Sequence, residues 1–109
     1  MPQLKLDIKF ELPMYNGEIN AEKLDNWIRQ IEVYCRIQKF TKDNINIQLA
    51  SLRLGGTAFN WWGRRSQEDL DIKGKFISSW YEFTSTLIFF LYIRVYVASH
   101  DGLVESEAR

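Results

Sequence analysis

The stretch Gln48-Leu-Ala-Ser-Leu-Arg-Leu-Gly-Gly-Thr-Ala-Phe-Asn-Trp-Trp62 decides the fold. An apolar helical run stops at Gly55-Gly56, and a second run then delivers two adjacent tryptophans. Consecutive residues on a helix point about 100° apart, so Trp61 and Trp62 cannot share one narrow stripe. One is expected to plug the core and the other to cover a seam or an exposed groove. Full burial of one such ring removes about 150–250 Å² from water. At about 25 cal/mol per Å² that is on the order of 4–6 kcal/mol before entropy. The other helices are expected to be arranged around this corner.

Outward from the corner, the periodicity predicts a small all-α bundle of about four helices with an extended N-terminal arm. The helix before it, about Lys42 to Leu54 behind a Thr41 cap, is apolar on two sides, which is the pattern of a central helix. Gly55 is expected to end it in a left-handed conformation. Thr57 can cap the next helix, about Ala58 to Gln67, and Arg64 to Lys75 reads as a solvated loop turning at Gly74.

Further upstream, Leu24, Trp27, Ile28, Ile31, Tyr34 and Cys35 recur at three-four spacing within a helix of about Ala21 to Lys39, started by Asn20. Residues 1–17 read as an arm that packs Phe10, Leu12 and Tyr15 on the helices, with a short strand as the alternative. Downstream, Ser79-x-x-Glu82 is a capping box that opens a helix presenting Trp80, Phe83, Leu87 and Phe90 on one face. Leu87 to Ala98 is almost continuously apolar, broken by Arg94. That run is shorter than the about 20 residues a membrane span needs. The helical domain is thus read as 18–98, and 99–109 as a disordered polar tail.

Composition narrows the function. The chain has 109 residues, the length of one domain, and 46% are hydrophobic and 15% aromatic, which favours a packed core over disorder. Formal net charge is +0, from 14 basic and 14 acidic residues, so any nucleic-acid contact would need a local patch. The single cysteine, Cys35, excludes an internal disulfide and a Cys-rich zinc site; it sits on the apolar stripe and reads as a buried, inert thiol. The first residues carry no signal-peptide pattern, and the cytoplasm is the expected location. No nucleophile–base set, paired carboxylates, metal-ligand spacing or phosphate loop can be named. The expected catalytic, cofactor and metal sets are therefore empty, with no small-molecule substrate. Trp61, Arg64 and Arg65 are the candidate interaction surface. Against a nucleic-acid role, Glu68, Asp69 and Asp71 cancel the field of the two arginines.

Taken in order, four pieces resemble the capsid region of Gag polyproteins from gypsy-type long-terminal-repeat retrotransposons. They are Phe10-Glu-Leu-Pro-Met-Tyr-Asn-Gly17, the helix with Trp27, the run Leu49 to Gly55 with Ala58 and Trp61-Trp62, and Ser79-Trp80 with Phe83 and Leu87. The likeness covers roughly Asp7 to Phe90. It implies a capsid N-terminal-domain-like helical fold whose copies build a particle shell around element RNA. It also implies fold-keeping roles for Trp27, Leu52, Gly55, Ala58, Trp62, Trp80, Phe83 and Leu87, none of them catalytic. The implied partner is another copy or full-length Gag, with weak or no direct nucleic-acid binding and no membrane span.

Two features depart from the family pattern. The apolar run Ile88–Ala98 stands where the family carries a more polar helix, and the Cys-His knuckle and the Asp-Ser/Thr-Gly triplet are absent. The chain therefore reads as a truncated copy, and the rival reading is a non-assembling protein-binding module derived from a degenerate one. Assembly and module differ in one cheap observable, the growth of particle size with concentration.

Overall fold

A tilted indole–phenol pair, Trp27 and Tyr15 with ring centroids 6.0 Å apart, joins the arm to the first helix of the bundle. The computed structural model describes the backbone of residues 11–108 and the side chains of residues 11–99. Its four helices are α1 (Ala21–Ile37), α2 (Asp43–Leu52), α3 (Gly56–Lys73) and α4 (Trp80–Ala108). Among the described residues there is no extended sheet. One isolated parallel bridge links Tyr15 and Leu54, made by Tyr15 N–H to Arg53 O at 3.0 Å and Gly55 N–H to Tyr15 O at 2.9 Å.

The arm is therefore neither loose coil nor a paired strand along the 11–17 that are described. Leu12 and Tyr15 are buried, as expected; Phe10 lies outside the described residues. The Trp27 indole N–H donates to Pro13 O at 2.9 Å, and Arg53 donates through Nε to Leu12 O at 3.1 Å. Buried backbone carbonyls need such partners, and here side chains supply them where no sheet does.

α1 starts where the sequence placed it. The Asn20 side chain accepts from Lys23 N–H at 3.0 Å, and Leu24, Trp27, Ile28, Ile31 and Cys35 make its buried stripe. It ends at Ile37, and the chain turns through Lys39 in a left-handed conformation (φ 62°). α2 begins after Lys42, not Thr41, and that residue makes no side-chain cap. Ile47 and Ala50 are its buried residues, with Leu54 buried just beyond.

The glycine corner differs from expectation in one respect. Gly55 is extended (φ −136°) and is the N-cap of α3, while Gly56 carries the positive φ of 53°. Both face the arm: a Cβ on Gly56 would lie 2.8 Å from Asn16 O, and one on Gly55 would lie 2.3 Å from Asn16 Oδ1. The two glycines thus serve the approach of the arm rather than the end of α2. Thr57 is not the cap either. Its hydroxyl donates to Asn16 O at 3.2 Å and accepts from Arg94 at 2.8 Å, so arm, α3 and α4 meet at one oxygen.

The segment from Arg64 was expected to be a loop, yet α3 runs to Lys73. It has no apolar period, but it has pairs at i, i+4. Arg65 and Asp69 meet at 3.3 Å, Lys73 and Asp69 at 3.9 Å, and Gln67 donates to Asp71 at 3.0 Å. Such pairs hold a polar helix together. Gly74 then ends it in the left-handed region (φ 77°), its N–H on Leu70 O.

α4 is capped from two sides. Ser79 Oγ accepts from Glu82 N–H at 3.3 Å, which is one half of the expected box, and Asp43 Oδ2 from α2 accepts the Trp80 N–H at 2.9 Å. Phe83 and Leu87 are fully buried, with Thr86, Phe90 and Leu91 beside them. The helix does not stop at Ala98. It continues to Ala108, so the expected disordered tail is helical through that residue. Extending an existing helix fixes one residue per added bond, which a polar segment can sustain once the costly first turn is made.

Candidate interaction surface

Phe83 and Phe90 lie two turns apart on α4, and each receives one tryptophan of α3. Trp61 lies over Phe90 with centroids 4.7 Å apart and planes at 32°; Trp62 meets Phe83 edge-on at 4.9 Å and 84°. Both indoles are half-buried. Neither plugs the core, contrary to the expected division of labour. Ala58, with no exposure, fills the interior position of that helix instead, and the two rings cover the α3–α4 seam at points two turns of α4 apart. Aromatic pairs in these offset and edge geometries contribute about 0.5–1.5 kcal/mol beyond area burial.

The remaining fold-keeping candidates divide unevenly. Trp27, Ala58, Phe83 and Leu87 are core residues. Trp80 is half-buried: its ring packs on Phe83 at 5.2 Å and its indole N–H donates to Glu32 at 2.9 Å, tying α4 to α1. Leu52 is a correction, since it is 73% exposed. It sits two residues past Ala50, about 200° around the helix, and so points away from the stripe that Ile47 and Ala50 define. Sequence reasoning passed over Arg53 and took Arg94 only as the break in its apolar run. Each is an isolated cation in an apolar run, a position that calls for a carbonyl or hydroxyl acceptor once the run folds.

Trp61, Arg64 and Arg65 do come together. With Phe89, Ile93 and Arg94 they line a groove of about 330 Å³ between α3 and α4. Glu68 also borders it, and Arg65 is engaged by the buried Asp69. Arg94 lies 5.6 Å over the Phe90 ring, a cation–π contact. The groove is mixed in charge with an aromatic floor, and its guanidiniums are largely committed inside the protein. Titration adds little chemistry: burial, helped by Glu32, raises the Cys35 thiol above its usual range, so it stays protonated and unreactive near neutral pH. Among the described residues no group of three or more His, Cys, Asp or Glu side chains is placed to hold a metal ion.

The larger feature is the other side of α4. Ile88, Phe89, Tyr92, Ile93, Val95 and Tyr96 are 41–68% exposed. Ile88, Tyr92 and Tyr96 form a row that runs lengthwise away from the Phe83–Leu87–Phe90 stripe, with Val95 beside it and Phe89 and Ile93 on its α3 side, where they also line the groove. The helix from Trp80 to Ser99 is long and apolar enough, by length and composition, to cross a membrane. The expectation against a span rested on the shortness of Leu87–Ala98 and on the polar Glu82, Thr84, Ser85 and Thr86 met on extending the run back to Trp80. Its inner face is the core of the bundle, and 28% of that stretch is buried there.

A family-level comparison matches residues 9–88 to the N-terminal capsid-like domain of the retrotransposon-derived protein PEG10. The chain belongs to this capsid-like family. Its all-α bundle is in keeping with that membership, and capsid-like Gag domains are structural rather than catalytic. Neither the curated proteins nor the solved structures returned a match. The matched part ends inside α4, at Ile88, so most of the outward apolar row lies beyond it.

Proposed function

We propose that the protein is a structural building block whose copies, or full-length Gag chains, associate through exposed helix faces into a particle shell around element RNA. The observation that carries this is the outward row of α4, apolar along its length on a member of a capsid-like family. The largest contiguous apolar patch on a monomer is about 300–600 Å² and is often functional, and this row stands at the top of that range. The chemistry is packing and repetition of surfaces, with no bond making and no cofactor. With net charge +0 the RNA is enclosed more than gripped. The cytoplasm is the compartment in which such assembly would proceed.

The second reading, a protein-binding module that does not assemble, draws support from the family match ending at residue 88, short of the rest of the row. Light scattering with negative-stain electron microscopy, over a wide range of protein concentration, separates the two. Concentration-dependent growth into large particles is the expected result. A monomer or one fixed small species at every concentration would overturn the shell.

A further inference from the structure

We propose that α4 pairs with the α4 of a second copy of this chain in an antiparallel, two-fold contact centred on Tyr92. The proposal rests on the self-associating reading above and specifies its first contact. Ile88, Tyr92 and Tyr96 lie four residues apart and are 55%, 68% and 54% exposed, so they form one row along the helix. The row is symmetric about Tyr92. A two-fold axis there sets Ile88 of each copy against Tyr96 of the other, and Tyr92 against itself. Phe89, Ile93 and Val95 flank the row and widen it.

Size argues for a second copy as the occupant. Taking about 200 Å² for an aromatic side chain and somewhat less for Ile and Val, each weighted by its exposed fraction, the six residues present about 600 Å² per copy. Two copies together would bury up to about 1,200 Å², which reaches the lower end of the range for stable protein interfaces. The apolar row also matches itself, as a two-fold contact requires. The one cation of the run, Arg94, is drawn away to Thr57 and the Phe90 ring, so no charge is buried at the seam. Antiparallel packing places each helix N-terminus beside the other's C-terminus, which aligns the backbone dipoles favourably.

The test uses the full chain, by sedimentation equilibrium and by disulfide trapping. Tyr92→Glu sets two carboxylates against each other at the axis and should weaken dimerisation about a hundredfold or more. Ile72→Glu changes an α3 residue that is 81% exposed and should leave it unchanged. Matching circular dichroism for both variants establishes that each folds. Under mild oxidation Tyr92→Cys should link to itself. Ile88→Cys should link only with Tyr96→Cys, because about 12 Å of helix separates the two Ile88 positions across the axis. Cys35 is 4% exposed and does not compete.

The alternatives are distinguishable. Association that survives Tyr92→Glu overturns this contact and leaves self-association standing. A wild-type monomer at high micromolar concentration overturns both. Ile88→Cys linking to itself overturns the antiparallel register. Flotation of a monomer with phosphatidylcholine vesicles, lost in Tyr92→Glu, would make a lipid surface the occupant and overturn the proposal.

Discussion

Gly56→Ala tests whether the glycine corner is built for the arm. Gly56 holds φ at 53°, where a side chain costs roughly 1–2 kcal/mol. The new Cβ would also lie 2.8 Å from Asn16 O, a backbone atom with no rotamer to escape through. That oxygen accepts from Thr57, so moving it strains the Arg94–Thr57–Asn16 chain as well. Alanine returns about 0.4–1 kcal/mol by restricting the unfolded chain. The expected net loss is about 2–3 kcal/mol, or a fall of about 10–20 °C in Tm for a domain of this size. Gly63→Ala is the matched control. It sits within α3, where an added Cβ meets nothing within 4 Å, and should stabilise by about 0.5–1 kcal/mol. Urea and thermal unfolding followed by circular dichroism measure both. A Gly56→Ala protein within about 0.5 kcal/mol of wild type would refute the close approach of arm and corner.

Other variants probe separate parts of the bundle. Arg65→Ala leaves the buried Asp69 carboxylate with only the exposed Lys73 at 3.9 Å and should cost about 1–2 kcal/mol in urea unfolding. Burial first, then the Glu18 charge, raises the Tyr15 phenol above its usual 10.0, while Arg94 acts the other way. The folded state therefore favours the neutral form. Its contribution is present below pH 10.0 and is lost as pH rises through the folded value. Tyr15→Phe removes the hydrogen bond to Glu18 O, should cost about 1 kcal/mol at neutral pH, and should flatten the alkaline end of a stability–pH curve. Leu52→Glu, on the exposed side of α2, should change stability by less than about 0.5 kcal/mol in the same assay. Alkylation of Cys35 at neutral pH should be slow and should track unfolding as denaturant is added.

The parts of this fold that could be read from sequence are those governed by one helix at a time. The α1 stripe, its Asn20 cap and the Phe83–Leu87–Phe90 face of α4 follow from spacing alone, because a three-four period has one geometric solution. What escaped was set by contacts between elements or by signals other than apolar spacing. Gly55 and Gly56 punctuate the chain whether they end α2 or admit the arm, and only Asn16, some forty residues away, decides between the two. Arg64 to Lys73 carries no apolar signal, so its helicity rests on ion pairs that periodicity does not weigh. Leu52 was assigned to the core through the resemblance and through an apparent stripe with Ile45 and Leu49, and the helix phase that Ile47 and Ala50 impose turns it outward. The site was half legible. Trp61, Arg64 and Arg65 do share a groove, but Arg94, which completes it, comes from a run noted for its apolar residues. The greasiness of that run was evident; which side of it would stay wet depended on where α3 came to rest.

The length of α4 bears on how such a protein can change over time. At 29 residues it spans about 43 Å, and among its described side chains, through Ser99, the buried ones that anchor it lie between Phe83 and Leu91. Foundation and overhang are therefore under separate control. Substitutions at Tyr92, Val95 and Tyr96, just beyond the anchored turns, can remake what the molecule touches without taxing the core beneath, so new affinities can be tried on an old scaffold one position at a time.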